Sequence, residues 1–163
     1  MADFSVAVGL LLQREGGFVD RPEDRGGPTN FGISQRSYPD VDIAGLTEEA
    51  ARAMYKRDFW EDGFDKIRSQ QLADKLLDTA VNLGKEKAIR ILQEALGEIR
   101  FGGRVDGQFG PATLLSVNLA CDGRKRPLFE AWRARLAKHY VGLVLQDPTQ
   151  LAFLDGWLRR AVS

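Results

Sequence analysis

Apolar side chains recur at helical spacing through most of this chain, and the exceptions are confined to one early stretch. Phe4, Val8, Leu11 and Leu12 follow Asp3, a good N-cap, so residues 3 to 14 read as an amphipathic helix with Glu15 in its last turn. From Gly16 to Tyr38 the period disappears. Gly, Pro and Asp dominate there, with only "FV" and "NFGIS" short and apolar enough for strands, which predicts a small hairpin or irregular sheet. Beyond it the pattern returns to helix. Thr47 caps "EEAARAMYKRDFW", whose two leading acids suit the positive end of a helix dipole. Ser69 precedes "QQLADKLLDTAVNLG", in which Leu72, Leu76, Ala80 and Leu83 line one face until Gly84 stops it. "KEKAIRILQEALG" carries the stripe Ile91, Leu92 and Ala95 and closes at Gly97. A loop, "EIRFGGRVDGQFG", leads to Pro111, suited to the first position of "PATLLSVNLAC". Pro127 opens a long helix bearing Phe129, Trp132, Leu136, Tyr140 and Leu143, and Thr149 starts a final one with Phe153, Leu154, Trp157 and Leu158. No repeat array interrupts this order, and the class predicted is α+β, mainly helical, with a small N-terminal β-hairpin region.

Composition narrows the function. With 163 residues, 44% of them apolar, the chain can bury one sizeable core. The 23 basic and 23 acidic side chains balance, so bulk charge indicates no nucleic-acid partner. Between Arg124 and Arg160 eight basic residues face three acidic ones, a local excess that reads first as a solvated helix face and second as a contact for an anionic polymer. Cys121 stands alone, so no internal disulfide is expected, in keeping with synthesis in a reducing cytoplasm. The opening "MADFSVAVGLLLQRE" lacks the basic start and cleavage site of a secretory signal. No segment approaches the ~20 apolar residues that span a bilayer, so stable membrane insertion is not expected.

One histidine and one cysteine make a zinc hydrolase hard to build, and no metal or organic cofactor is expected. Cys121 and His139 are the only thiol–imidazole pair, and both sit in helices as packing or surface residues. Carboxylate chemistry remains. Hydrolysis of a glycosidic bond needs an acid to protonate the leaving oxygen and usually a second carboxylate to direct water or stabilise the oxocarbenium-like transition state. Glu15, at a helix end facing a core, suits the acid, because desolvation and the helix's negative end both keep a proton on it. Asp20, Glu23 and Asp24 compete for the second place. Asp24 lies eight intervening residues beyond Glu15, with glycines and Pro22 bending the chain between them. Thr29, four intervening residues further on, could hold the attacking water. On spacing alone an ordinary acidic loop reads better.

The stretch "REGGFVDRPEDRGGPTNFGIS" closely resembles the opening motif of glycoside hydrolase family 108, peptidoglycan-cutting lysozymes of phages and bacteria. It is also similar to the glutamate, aspartate, threonine pattern of the broader phage-type lysozymes. "YKRDFWEDGFDKI", "LDTAVNLGKEKAIRILQEALG" and "VDGQFGPATL" look like that family's middle and its peptidoglycan-binding segment, and "FLDGWLRR" looks like its closing motif. The resemblance implies a lysozyme-like fold of one domain over residues 1–163, with a catalytic lobe at 1–67 and a helical, wall-binding lobe at 68–163. It implies a monomeric N-acetylmuramidase that cuts the β-1,4 bond between N-acetylmuramic acid and N-acetylglucosamine, a phage or prophage endolysin reaching the wall after release from the cytoplasm. Glu15 matches the family's catalytic acid, and Asp24 and Thr29 match the second carboxylate and the water-holding threonine.

Four further residues are candidate sugar contacts. Tyr55 and Trp60 read equally as stacking or core aromatics, and Asn82 as an amide contact or a helix cap. Asn30 adjoins Thr29. Asp106 and Gly107 read first as a turn. Two rivals stay open: a lytic transglycosylase, which leaves a 1,6-anhydro end, and a non-catalytic wall-binding or secretion-activating protein.

Overall fold

The computed structural model describes residues 1–15, 17–20 and 27–162, and the side chains of all of these except Arg14 and Glu15. Seven α-helices and one two-stranded antiparallel sheet are formed by them. Helix α1 spans Phe4–Glu15, β1 Thr29–Asn30 and β2 Ile33–Ser34. They are followed by α2 (Glu48–Phe59), α3 (Gln70–Leu83), α4 (Lys85–Glu98), α5 (Pro111–Gly123), α6 (Lys125–Gln146) and α7 (Leu154–Val162). Short 3-10 turns lie at Phe64–Lys66 and Pro148–Phe153.

The apolar stripes read from the sequence bury two adjoining cores. Val8, Leu11 and Leu12 of α1 meet Ile33, Ile43, and Ala51, Met54 and Tyr55 of α2. The larger core takes Leu72 and Leu76 of α3, Ile89, Leu92 and Leu96 of α4, and Trp132, Leu136 and Tyr140 of α6. Helix α3 serves both, since its Leu77 belongs to the first core and its opposite flank to the second. Leu72, Leu76 and Leu77 are wholly buried, and burial of each such side chain is worth about 1.5–3 kcal/mol.

Local signals account for most boundaries. Thr47 Oγ1 accepts from the Ala50 N–H at 3.2 Å and holds the start of α2. Thr47→Ala is expected to cost about 1 kcal/mol, read as a lower midpoint in urea with an unchanged slope. Ser69 differs: its hydroxyl is buried and makes no capping bond, so α3 begins on backbone contacts alone. Helix α6 starts two residues before Pro127. A proline in the first turn removes an N–H that has no intrahelical partner, so it does not stop the helix there. The final apolar segment is divided. Asp147 accepts from the Thr149 and Gln150 side chains and the Thr149 N–H, which tightens Pro148–Phe153 into a 3-10 turn before α7.

Candidate functional site

Helix α1 runs its full length to Glu15, so the residue proposed as the acid stands at the helix's C-terminal end. Its side chain, and Asp24 altogether, lie outside the described residues. The chain returns beside α1 through a backbone bridge. Val19 N–H donates to the Thr29 carbonyl at 2.7 Å and Thr29 N–H to the Val19 carbonyl at 2.8 Å. On its other side β1 pairs with β2, Thr29 opposite Ser34 and Asn30 opposite Ile33. Thr29 is therefore gripped from both flanks. Its half-buried hydroxyl donates to the Gly27 carbonyl at 3.3 Å, and the oxygen keeps the capacity to accept a proton from water.

The small hairpin expected at "NFGIS" forms, with Asn30 ending β1, Ile33 and Ser34 making β2, and Phe31 and Gly32 at its tip. Phe31 and Gly32 take φ values of 51° and 77°, the pair of positive angles that a two-residue type I′ turn requires. Glycine suits this and phenylalanine does not. The Tyr55 hydroxyl donates to the Phe31 carbonyl at 2.8 Å from a side chain only 1% exposed, fixing the strained residue from α2. Asn30 does the same on the other flank. Its buried amide nitrogen donates to the carbonyls of Ile43 and Leu46 at 3.1 and 3.3 Å, tying the hairpin to the following loop. Tyr55→Phe is expected to cost about 1 kcal/mol, measured by thermal unfolding, with a larger proportional loss of activity because the hairpin carrying Thr29 loosens.

Trp60 is half-buried between two aromatic edges, Phe4 of α1 at 5.3 Å and Phe64 at 5.5 Å between ring centroids. Phe64 in turn meets Phe109 at 4.8 Å. Asn82, exposed near the end of α3, donates to the Asp78 carbonyl at 2.8 Å within its own helix. The two residues are thus anchored by packing and by the helix respectively.

A cavity of about 340 Å³ opens between the hairpin and α2, lined by Gly32, Ser34, Tyr38, Tyr55 and Asp58, with Val81 of α3 at its edge. It contains a cluster that the sequence did not disclose. The Tyr38 hydroxyl donates to Asp58 Oδ2 at 2.7 Å, and Arg57 holds both oxygens of the same carboxylate at 2.6 and 2.7 Å. Twenty residues separate Tyr38 from Asp58, so no local pattern signals the contact. The Arg57 hydrogen bonds keep the Asp58 carboxyl below its ordinary range against the opposing effect of burial. Burial, and then the bond to Asp58, push the Tyr38 phenol up to about 12. A raised value means that this phenol's contribution is complete below pH 10 and is lost as pH climbs towards 12. Ultraviolet titration is expected to find late-ionising tyrosines, Tyr38 beside the Tyr140 that burial also raises, and Asp58→Asn to return only the Tyr38 component part of the way. Cys121 is half-buried, and burial raises its thiol, so nothing activates it as a nucleophile. No helix among the described residues is long and apolar enough to cross a membrane.

Comparison with known proteins separates the chain into two matched segments. Residues 8–84 match the family model described as "Glycosyl hydrolase 108", and residues 87–162 match the one described as "Predicted Peptidoglycan domain". Among solved structures, SagA from Brucella abortus superposes with a TM-score of 0.73 at 27% identity, covering 97% of this chain and 88% of that one. No curated protein matches. The mainly helical α+β architecture is lysozyme-like.

Proposed function

We propose, from the match of residues 8–84 to the glycosyl hydrolase 108 model and of residues 87–162 to the predicted peptidoglycan domain, that the chain is a lysozyme of that family. It cuts the β-1,4 bond between N-acetylmuramic acid and N-acetylglucosamine and serves as a phage or prophage endolysin. The observation that carries this reading is the junction of a glycosidase segment and a wall-associated segment in one fold, with α1 of the first ending at Glu15. Glu15 protonates the leaving oxygen and Asp24 directs the water that Thr29 holds. The Val19–Thr29 bridge supports this assignment, because it returns the threonine to the chain leaving α1. Asn30 and Tyr55 serve the substrate by holding the hairpin in place, while Trp60 and Asn82 remain direct sugar contacts. Residues 1–67 form the catalytic lobe and 68–163 the wall-binding lobe. Mass spectrometry of muropeptides released from purified cell walls tests the reaction. Hydrated reducing ends are expected; 1,6-anhydro ends would assign the chain to the transglycosylases, and no release at all would make it a wall-binding protein.

A further inference from the structure

A second, larger cavity of about 590 Å³ lies in the seam between the two matched segments. Its walls are α1 of the glycosidase segment, contributing Leu10 and Leu11, and the first half of α6 of the wall-associated segment, contributing Lys125, Phe129 and Arg133. Asp74, Lys75 and Asp78 of α3 lie on its floor, where the Lys75 ammonium donates to the Arg160 carbonyl, so the two carboxylates leave the floor acidic. Leu10 leaves 42% of its surface exposed beside the buried Leu11, so part of the groove is an uncovered apolar face. The charged groups around it are mixed. Arg126, which reaches Glu130 at 2.9 Å, joins Lys125 and Arg133 in a basic rim. Arg133 lies 5.9 Å over the Phe129 ring, and its Nε is buried without a hydrogen-bond partner among the described residues. An unspent buried guanidinium N–H costs free energy that an incoming carboxylate would recover. Asp74, which accepts from Gln70 at 2.6 Å, supplies the opposite sign on the floor.

We propose that this groove binds the stem peptide of peptidoglycan, a refinement that rests on the wall-hydrolase reading above. Stem peptides combine free carboxylates, one diamino-acid ammonium and small apolar residues. The groove offers the complement of each: the rim of Lys125, Arg126 and Arg133 for the carboxylates, Asp74 for the ammonium, and Leu10 with Phe129 for the methyl groups. Position agrees with chemistry. The stem hangs from the muramic acid beside the scissile bond, and Glu15 follows Leu11 by four residues, about 6 Å further along α1. A peptide borne by a sugar at the end of α1 is therefore within reach of the groove. A volume of 590 Å³ is also in the range that small ligands fill.

The test is an NMR titration of the intact protein with the free tetrapeptide L-alanyl-D-glutamyl-diaminopimelyl-D-alanine and with its lysine counterpart. Saturable shifts at Leu10, Phe129 and the Arg133 Nε–H are expected. The double change Lys125→Glu with Arg126→Glu is expected to weaken binding about tenfold, and Arg133→Met by a comparable factor, while Arg159→Gln on α7 leaves it unchanged. Should Arg133→Met not fold, the variants at the half-buried Lys125 and the exposed Arg126 still decide the matter. Absence of shifts in the groove, or shifts confined to the hairpin cavity, would overturn the proposal. Groove binding by a protein that releases no muropeptides would overturn the hydrolase reading and leave the groove assignment standing.

Discussion

Glu15→Gln is expected to lower muropeptide release from purified walls by about 10²- to 10⁴-fold, the usual contribution of a positioned general acid. Thermal unfolding of the variant is expected to match wild type. Glutamine retains the size and hydrogen-bonding reach of glutamate but cannot give a proton to the leaving oxygen. The position suits an acid because α1 ends there, and the partial negative charge of a helix C-terminus disfavours an ionised carboxylate. The same reasoning makes the substitution harmless to folding, since it removes a charge where the helix disfavours it. Asp24→Asn is expected to reduce release less completely, because the threonine can still hold water when its carboxylate partner is neutral. Product analysis should accompany the rate: residual products must keep the hydrated reducing end. Full activity in Glu15→Gln would remove the acid from this position.

Helices were legible where a stripe and a stop signal agreed. Leu72, Leu76 and Ala80 ahead of Gly84 locate α3, and Ile91, Leu92 and Ala95 locate α4. A disagreement arose where a local signal has two physical meanings. Pro127 suggests a helix start, yet a proline within the first turn of α6 costs no hydrogen bond, so the helix can start at Lys125. The hairpin expected at "NFGIS" forms, with its middle bent through positive φ and held by Tyr55 from twenty-four residues away. The site follows the same division. The end of α1 at Glu15 could be read from the glycines that follow it. The Val19–Thr29 bridge, the Asn30 clamp and the Tyr38–Asp58–Arg57 cluster could not, because each is made by residues that meet only after the fold closes. Asp106 and Gly107 form the turn that their dipeptide suggests. Its hold on α4 is non-local: Arg90 donates to the Val105 carbonyl at 3.0 Å, and one buried side chain makes most of the remaining bonds.

That side chain is Gln93, and Gln93→Leu is expected to have the largest effect on stability among polar substitutions considered. Only 4% exposed, Gln93 accepts from the N–H groups of Asp106 and Gly107 at 3.0 and 2.9 Å. Its amide nitrogen donates to Asp106 Oδ1, the Gln108 carbonyl and Thr113 Oγ1 at 2.9 to 3.1 Å. Leucine fills the volume but leaves the N–H groups of Asp106 and Gly107 without their acceptor, while Asp106 Oδ1 and the Gln108 carbonyl keep only their bonds from the Gln108 N–H and the Thr113 hydroxyl. About 3 kcal/mol is the expected cost, since each such group forfeits ~1–3 kcal/mol and some regain solvent as the loop opens. In a chain of this size that lowers Tm by roughly 6–12 °C. Gly107 shows how closely the loop lies on α4: its φ of 76° suits glycine, and a Cβ there would sit 2.6 Å from Glu86 Cγ. The same stretch resembles a wall-binding turn, and a second substitution separates pinning from binding. Gln108 is exposed and its side chain belongs to none of these bonds, so Gln108→Ala should leave Tm unaltered. If it nevertheless weakens sedimentation with purified peptidoglycan, the turn touches the wall. If only Gln93→Leu does so, and in step with its loss of folded protein, the turn's task is to hold α4 and α5 together.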